Sequence, residues 1–260
     1  MKKTITSKDN EKIKYLRQLQ QKKYRNELGC FCVENLKIIY AALQANQFPE
    51  SLFISSNLLD RQEKETLSII EKNPNYFMID EKTNRSFSSL EEPSGICAVY
   101  KKSPHELNIT KPIIYLNAIN DPGNLGSILR TALAFGYHNI MVDENCVDLY
   151  NPKTINAAKD AIFKLNLSHD NNLSFLKSIK GKITIITTRL ENALDIQGYS
   201  TKNNFCLVLG SEAHGVDETV QKLSDEFLTI KMSSQMESLN VSVAAGIMLY
   251  LLKVSQQNQL

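Results

Sequence analysis

The feature that most constrains this chain is an alternation that dominates its second half. Short, β-rich apolar runs ("IIYLNAI", "NIMVD", "KITIITT", "FCLVLG", "FLTIKM") are separated by stretches with helical character. Near-continuous apolar strands, rather than strands that alternate apolar and polar, belong to a sheet covered on both faces, and connections of helical length make that sheet parallel. An α/β fold with a mostly parallel sheet is expected after residue 112. The first hundred residues repeat the theme on a smaller scale. "CFCV", "SLFIS", "NYFMI" and "GICAVYK" read as strands between helices, preceded by an amphipathic helix capped by Ser7 with Ile13, Leu16 and Leu19 on one face. "KKSPHELNITKP", polar and carrying two prolines, reads as the linker, which predicts domains at residues 1–104 and 105–260.

In open parallel sheets, ligands collect at the carboxyl ends of the strands. Three loops of unusual composition fall there: "NAINDPGNLGS" after "IIYL", "GSEAHGV" after "FCLVL" and "KMSSQMESLN" after "FLTI". The first contains Gly123 and Gly126 but neither the dinucleotide fingerprint nor a P-loop lysine, so a phosphate cradle is the weaker reading. With a helix starting near Asn124, Arg130 lies under two turns further on, and the two side chains can converge on one side. The second loop sets Gly210 and Gly215 around Glu212 and His214; Glu212 orients a ligand hydroxyl or cation, or caps the next helix. The third supplies Ser238 and Asn240, either of which can cap the last helix, while backbone around Ile230 and Leu239 forms an apolar slot for a flat heterocycle.

Charge adds one pointer. The net charge is +2, yet residues 1–40 hold ten Lys/Arg against four Asp/Glu, a local balance of +6. Lys12, Arg17, Lys22, Lys23 and Arg25 make that segment a basic face suited to an RNA backbone. The five cysteines are scattered in apolar surroundings and read as small core residues, with no metal site among them or the four dispersed histidines. No apolar run reaches the roughly 18 residues a membrane helix needs, and a cytoplasmic location is expected.

"NAINDPGNLGSILRTALAFGY", "LVLGSEAHGV" and "IKMSSQMESLNVSVAAGIMLY" resemble motifs 1, 2 and 3 of the SpoU (TrmH-type) branch of the SPOUT RNA methyltransferases, in the family's order. "CVDLYNPKTINAAKDAIF" is similar to the segment between them, and "CFCVENLKIIYAAL" and "PSGICAVYK" to the family's ribosomal-protein-like substrate domain. The resemblance implies an S-adenosylmethionine-dependent 2′-O-methyltransferase of ribosomal or transfer RNA; the separate N-terminal domain favours ribosomal RNA, with a tRNA ribose methyltransferase as an alternative. It further implies a trefoil-knotted C-terminal domain that dimerises with a second copy. On these motifs Gly210, Ile230 and Leu239, with Thr188, would line the cofactor pocket, and Asn124, Arg130, Glu212, Ser238 and Asn240 would serve catalysis. Arg130 would act either as the base on the ribose hydroxyl or as a clamp on an RNA phosphate. The sequence departs from the pattern at Lys231, Ser233 and Ser234 in motif 3, at Lys159 and Asp160 in the connecting segment, and at Asn35 and Ser94 in the substrate domain. A non-catalytic RNA-binding relative with a degraded pocket is the alternative these departures raise.

Overall fold

The computed structural model describes residues 3–103, 105–201, 204–211, 214–233 and 235–257. The chain packs as two compact units. One comprises Met1–Ser103 and Tyr150–Phe163, the other Pro104–Leu149 and Lys164–Leu260.

In the first unit, strands β1 (Lys3–Ile5), β2 (Cys30–Val33), β3 (Ser51–Ser55), β4 (Phe77–Ile79) and β5 (Ile96–Lys101) form a sheet in the order β1-β4-β3-β5-β2. β1, β4 and β3 run parallel, and β5 is antiparallel to both its neighbours. The helix Glu11–Leu19 lays Ile13, Leu16 and Leu19 onto Cys30, Cys32, Phe53, Cys97 and Val99, which explains the one-sided apolar spacing. Its cap is Asn10 rather than Ser7. The Lys12 N–H donates to Asn10 Oδ1 at 3.0 Å, while Ser7 closes the preceding turn through the Asp9 N–H. Asn35 caps the helix Leu36–Gln44 by accepting from the Ile38 N–H at 3.2 Å, which gives this departure from the motif a structural role.

The returning segment is held by aromatic rings. Tyr150 lies 4.5 Å from Phe31 and Phe163 4.7 Å from Tyr100, centroid to centroid. Within it Lys159 ends the helix Pro152–Ala158 at φ 57°, ψ −134°, a backbone region that only glycine enters without cost.

The second unit is built on β6 (Ile113–Leu116), β7 (Asn139–Asp143), β8 (Asn166–Asp170), β9 (Thr184–Thr188), β10 (Leu194–Asp195), β11 (Phe205–Leu209) and β12 (Glu226–Thr229). Among the described residues they form one sheet, all neighbours parallel, in the order β10-β12-β9-β11-β6-β7-β8. β6, β7 and β11 are buried along their whole length, as uninterrupted apolar runs require. β8 and β10 were not legible: "NLSHD" is too polar and "LD" too short to read as strands.

Two helices lie side by side in the same direction. Pro122–Phe135 begins with proline at its first position behind the Asp121 cap, which accepts from the Asn124 N–H at 2.7 Å. Val241–Gln257 follows the third loop. Asn124 meets Asn240 at one end, Gly246 faces Thr131 midway, and Phe135 and Tyr250 approach to 5.7 Å further on. All five cysteines are free and buried.

Candidate active site

The strand order places β12, β9 and β11 next to one another, and the loops leaving their carboxyl ends enclose a cavity of about 620 Å³. That volume falls within the roughly 300–1,000 Å³ of small-molecule sites. β9 contributes Thr188 and the following Arg189–Asn192, β11 contributes Leu209–Ser211 with His214–Val216, and β12 contributes Leu228–Ile230. Ser238 and Leu239 close the third side, with Val241, Ala244 and Met248 of the last helix beneath.

Gly210 is indispensable to this shape. A Cβ there would sit 2.2 Å from the Gly215 carbonyl carbon and 2.3 Å from the Val216 nitrogen, inside the opposite arm of its own loop. The arms are joined by paired bonds, Ser211 N–H to Gly215 O at 3.0 Å and Gly215 N–H to Ser211 O at 2.9 Å. The Thr188 hydroxyl donates to Val208 O at 3.2 Å and so ties the ends of β9 and β11 together. Backbone and apolar surface dominate the floor, which suits a flat heterocycle approached edge-on by peptide groups.

Thr188, Gly210, Ile230 and Leu239 therefore stand together on one cavity, and Ser238 joins them. Asn240 sits just outside. It caps the last helix, accepting from the Ser242 N–H at 2.9 Å, and its amide donates to Asn124 Oδ1 at 3.0 Å. Asn124 and Arg130 do not converge as expected. Six residues of α-helix leave them about 120° apart around the axis, and it is Thr131, a further residue on, that faces the last helix with Asn124. Arg130 is exposed, away from the cavity lining, and its guanidinium has no protein partner among the described residues. Glu212 lies outside the described residues.

Arg189, Glu191 and Asn192 were missed by the sequence reading. The Arg189 guanidinium lies 3.8 Å from the centre of the Phe227 ring, and its Nε donates to Glu191 O at 2.7 Å. It also donates to the Asn192 carbonyl, so the β9 loop wraps its own arginine. The available signal was position: "RLEN" is a fourth strand-end loop. Lys231, the departure in motif 3, turns away from the cavity to pair with Asp195 at 3.3 Å. The Gln197 N–H, and then Lys231, hold the Asp195 carboxyl below its usual range. Ser233 is exposed, and Ser234 lies outside the described residues.

In the first unit, Lys12, Lys22 and Lys23 are exposed, with Lys12 Nζ 4.6 Å above the Phe77 ring and Lys23 3.9 Å from Glu27. Arg25 is a correction. It is 3% exposed and donates to Leu19 O at 2.8 Å, joining two helices instead of facing solvent. Arg17 is half-buried and donates to the Lys8 carbonyl. Among the described residues no cluster of His, Cys, Asp or Glu could hold a metal ion, and no helix is long and apolar enough to cross a membrane.

Comparison with known proteins agrees with this architecture. Residues 111–250 match the SpoU rRNA Methylase family, and residues 10–98 match the MRM3-like substrate binding domain. The 23S rRNA (guanosine(2553)-2′-O)-methyltransferase RlmP of Bacillus subtilis is 29% identical over 252 residues, spanning 96% of this chain and 99% of the relative. A crystal structure of an RNA 2′-O ribose methyltransferase superposes with a TM-score of 0.78 at 25% identity, covering 99% of this chain and 100% of the other. The AdoMet-bound rRNA methyltransferase of Sinorhizobium meliloti shares the fold, with a TM-score of 0.83 at 24% identity over 99% of this chain and 98% of the other. With the parallel sheet, the strand-end cavity and the substrate-domain match in place, the chain belongs to the SpoU rRNA methylase family.

Proposed function

We propose that this protein transfers a methyl group from S-adenosylmethionine to a ribose 2′-hydroxyl of ribosomal RNA. The observation that carries the reading is the cavity, built from the second and third motif loops and the Thr188–Asn192 loop, with Gly210 pressed against Gly215 and the Asn124–Asn240 pair, where the first motif loop meets the last helix, beside it. Gly210, Ile230, Leu239 and Thr188 would hold the cofactor, largely through backbone and apolar contact. When bound, the cofactor supplies a methyl already activated on a sulfonium. The protein has to bring a hydroxyl into line and manage its proton.

Arg130 serves that second task from outside the cavity. A guanidinium stays protonated in nearly all settings, so it suits a bidentate clamp on an RNA phosphate and a donor to the developing alkoxide. Asn124 and Asn240 fix the helix ends that present the ribose, and Ser238 and Glu212 complete the polar set. The first unit, matched to a substrate-binding domain, holds structured RNA through Lys12, Lys22 and Lys23 by backbone and 2′-hydroxyl contacts. Binding is assigned to residues 1–104 and chemistry to residues 105–260, apart from Tyr150–Phe163, which pack with the first unit. Tyr250 and Val243, exposed hydrophobics on the last helix at seven-residue spacing, supply the face of a homodimer, and the catalytic domain carries the trefoil knot of its family. A cytoplasmic setting accompanies a ribosomal substrate.

The test is transfer of tritium from labelled cofactor to unmethylated ribosomal and transfer RNA. Incorporation into ribosomal RNA supports the reading, and incorporation into transfer RNA alone redirects it. A protein that binds RNA and transfers nothing is the non-catalytic relative. Lys231, pointing away from the cavity, gives that alternative no support.

A further inference from the structure

Asn117 follows β6 immediately, is wholly buried, and is not itself part of the cavity lining. Yet it holds both ends of the Gly210–Asp217 loop. Its backbone N–H donates to Leu209 O at 2.9 Å, where that loop leaves β11. At the other end its amide oxygen accepts from the Asp217 N–H at 2.8 Å, and its amide nitrogen donates to Asp217 Oδ2 at 2.8 Å. The second hydrogen of the same nitrogen goes to Asp143 Oδ2 at 2.6 Å, at the end of β7. Asp143 Oδ1 in turn accepts from the Ala118 N–H at 3.1 Å, where the chain turns at φ 54° toward the Asn124 helix.

Every hydrogen-bonding group of this side chain faces a complementary partner. Neither aspartate nor leucine reproduces the pattern, since only an amide presents an acceptor to an N–H and two donors to two carboxylates. A group spent so fully on one loop is costly to disturb, because bonds to charged partners are strong and their buried remnants unfavourable. The loop it holds has no slack, given the contact between Gly210 and the Gly215–Val216 backbone.

We propose that Asn117 is a positioning residue. Acting through Asp217, it sets the cavity wall to which Gly210, Ser211, Gly215 and Val216 contribute, and the same amide registers that wall against the turn leading to Asn124. The inference rests on the reading of the cavity as a cofactor site. It is tested with Asn117→Ala, Asp217→Ala and the double variant, each confirmed folded by its thermal transition. S-adenosylhomocysteine affinity is measured by calorimetry, and hydrogen exchange of the Ser211 and Gly215 amides is followed without ligand. Each single substitution is expected to weaken binding by roughly 10- to 100-fold and to speed exchange at both amides. The double variant should bind no more weakly than the worse single one, the mark of two groups acting as a unit.

Asp217→Ala leaves the buried Asp143 paired with Asn117 and the Ala118 N–H, and keeps the test alive should Asn117→Ala not fold. Wild-type affinity and exchange in Asp217→Ala, or fully additive losses in the double variant, would overturn the proposal. Failure of the unaltered protein to bind S-adenosylhomocysteine would instead count against the cofactor reading, while exchange at Ser211 and Gly215 still decides the clamp.

Discussion

Gly210 and Arg130 represent two kinds of residue in the proposed mechanism. Gly210 acts by what it lacks: a single added methyl would overlap backbone at 2.2 Å, and backbone cannot rotate away. Gly210→Ala should lower stability by about 3 kcal/mol in urea denaturation and abolish S-adenosylhomocysteine binding in calorimetry. Arg130 acts by what it reaches for, being exposed and away from the cavity lining. Arg130→Ala should leave cofactor affinity at the wild-type value and slow methyl transfer by roughly 10²- to 10³-fold; a fast variant would remove Arg130 from the mechanism. Lys159 contributes a third case, since its backbone conformation suits glycine. Lys159→Gly should raise stability by about 1 kcal/mol, relief of strain outweighing the added freedom of the unfolded chain, as read by the urea midpoint. All three types were legible as letters in motifs. The inward turn of Arg25 was not, because a basic residue on a short helix reads as solvent-facing until a neighbouring helix end is there to accept its hydrogen bond.

At the scale of elements, the informative unit is the pair of parallel helices starting at Pro122 and Val241. Asn240 serves both, capping one through its oxygen and gripping Asn124 of the other through its nitrogen. The two duties separate chemically. Asn240→Asp retains the cap and should cost well under the ~1 kcal/mol typical of a lost cap. It forfeits the bond to Asn124, so methyl transfer should fall while the thermal transition holds. Equal loss of both in that variant would reduce Asn240 to a cap. The apolar strands were readable because a doubly covered sheet demands unbroken hydrophobic runs. β8 and β10 escaped because edge strands carry no such demand, and the shift of the first cap from Ser7 to Asn10 reflects competition between two adequate side chains.

For the whole molecule, the exposed Val243 and Tyr250 and the basic first unit make separate predictions. Replacing both apolar residues with aspartate should shift the sedimentation coefficient from dimer to monomer; an unchanged value would place any self-association elsewhere. RNA affinity should fall steeply with added salt because releasing counterions into a more concentrated solution gains less, whereas S-adenosylhomocysteine affinity should stay nearly flat between the same salt concentrations. The α/β class, the parallel sheet and the positions of the three candidate loops were readable in the sequence, because hydrophobic period and turn chemistry are local properties. Only the tertiary structure showed that Arg189–Asn192 join Thr188 on the cavity, that Lys231 points away from it, and that Tyr150–Phe163 returns to the first unit. It also decided that Asn117 joins Leu209, Asp143 and Asp217. Each of these depends on which strands become neighbours and which side chains find partners far along the chain, and no local pattern of residues encodes that.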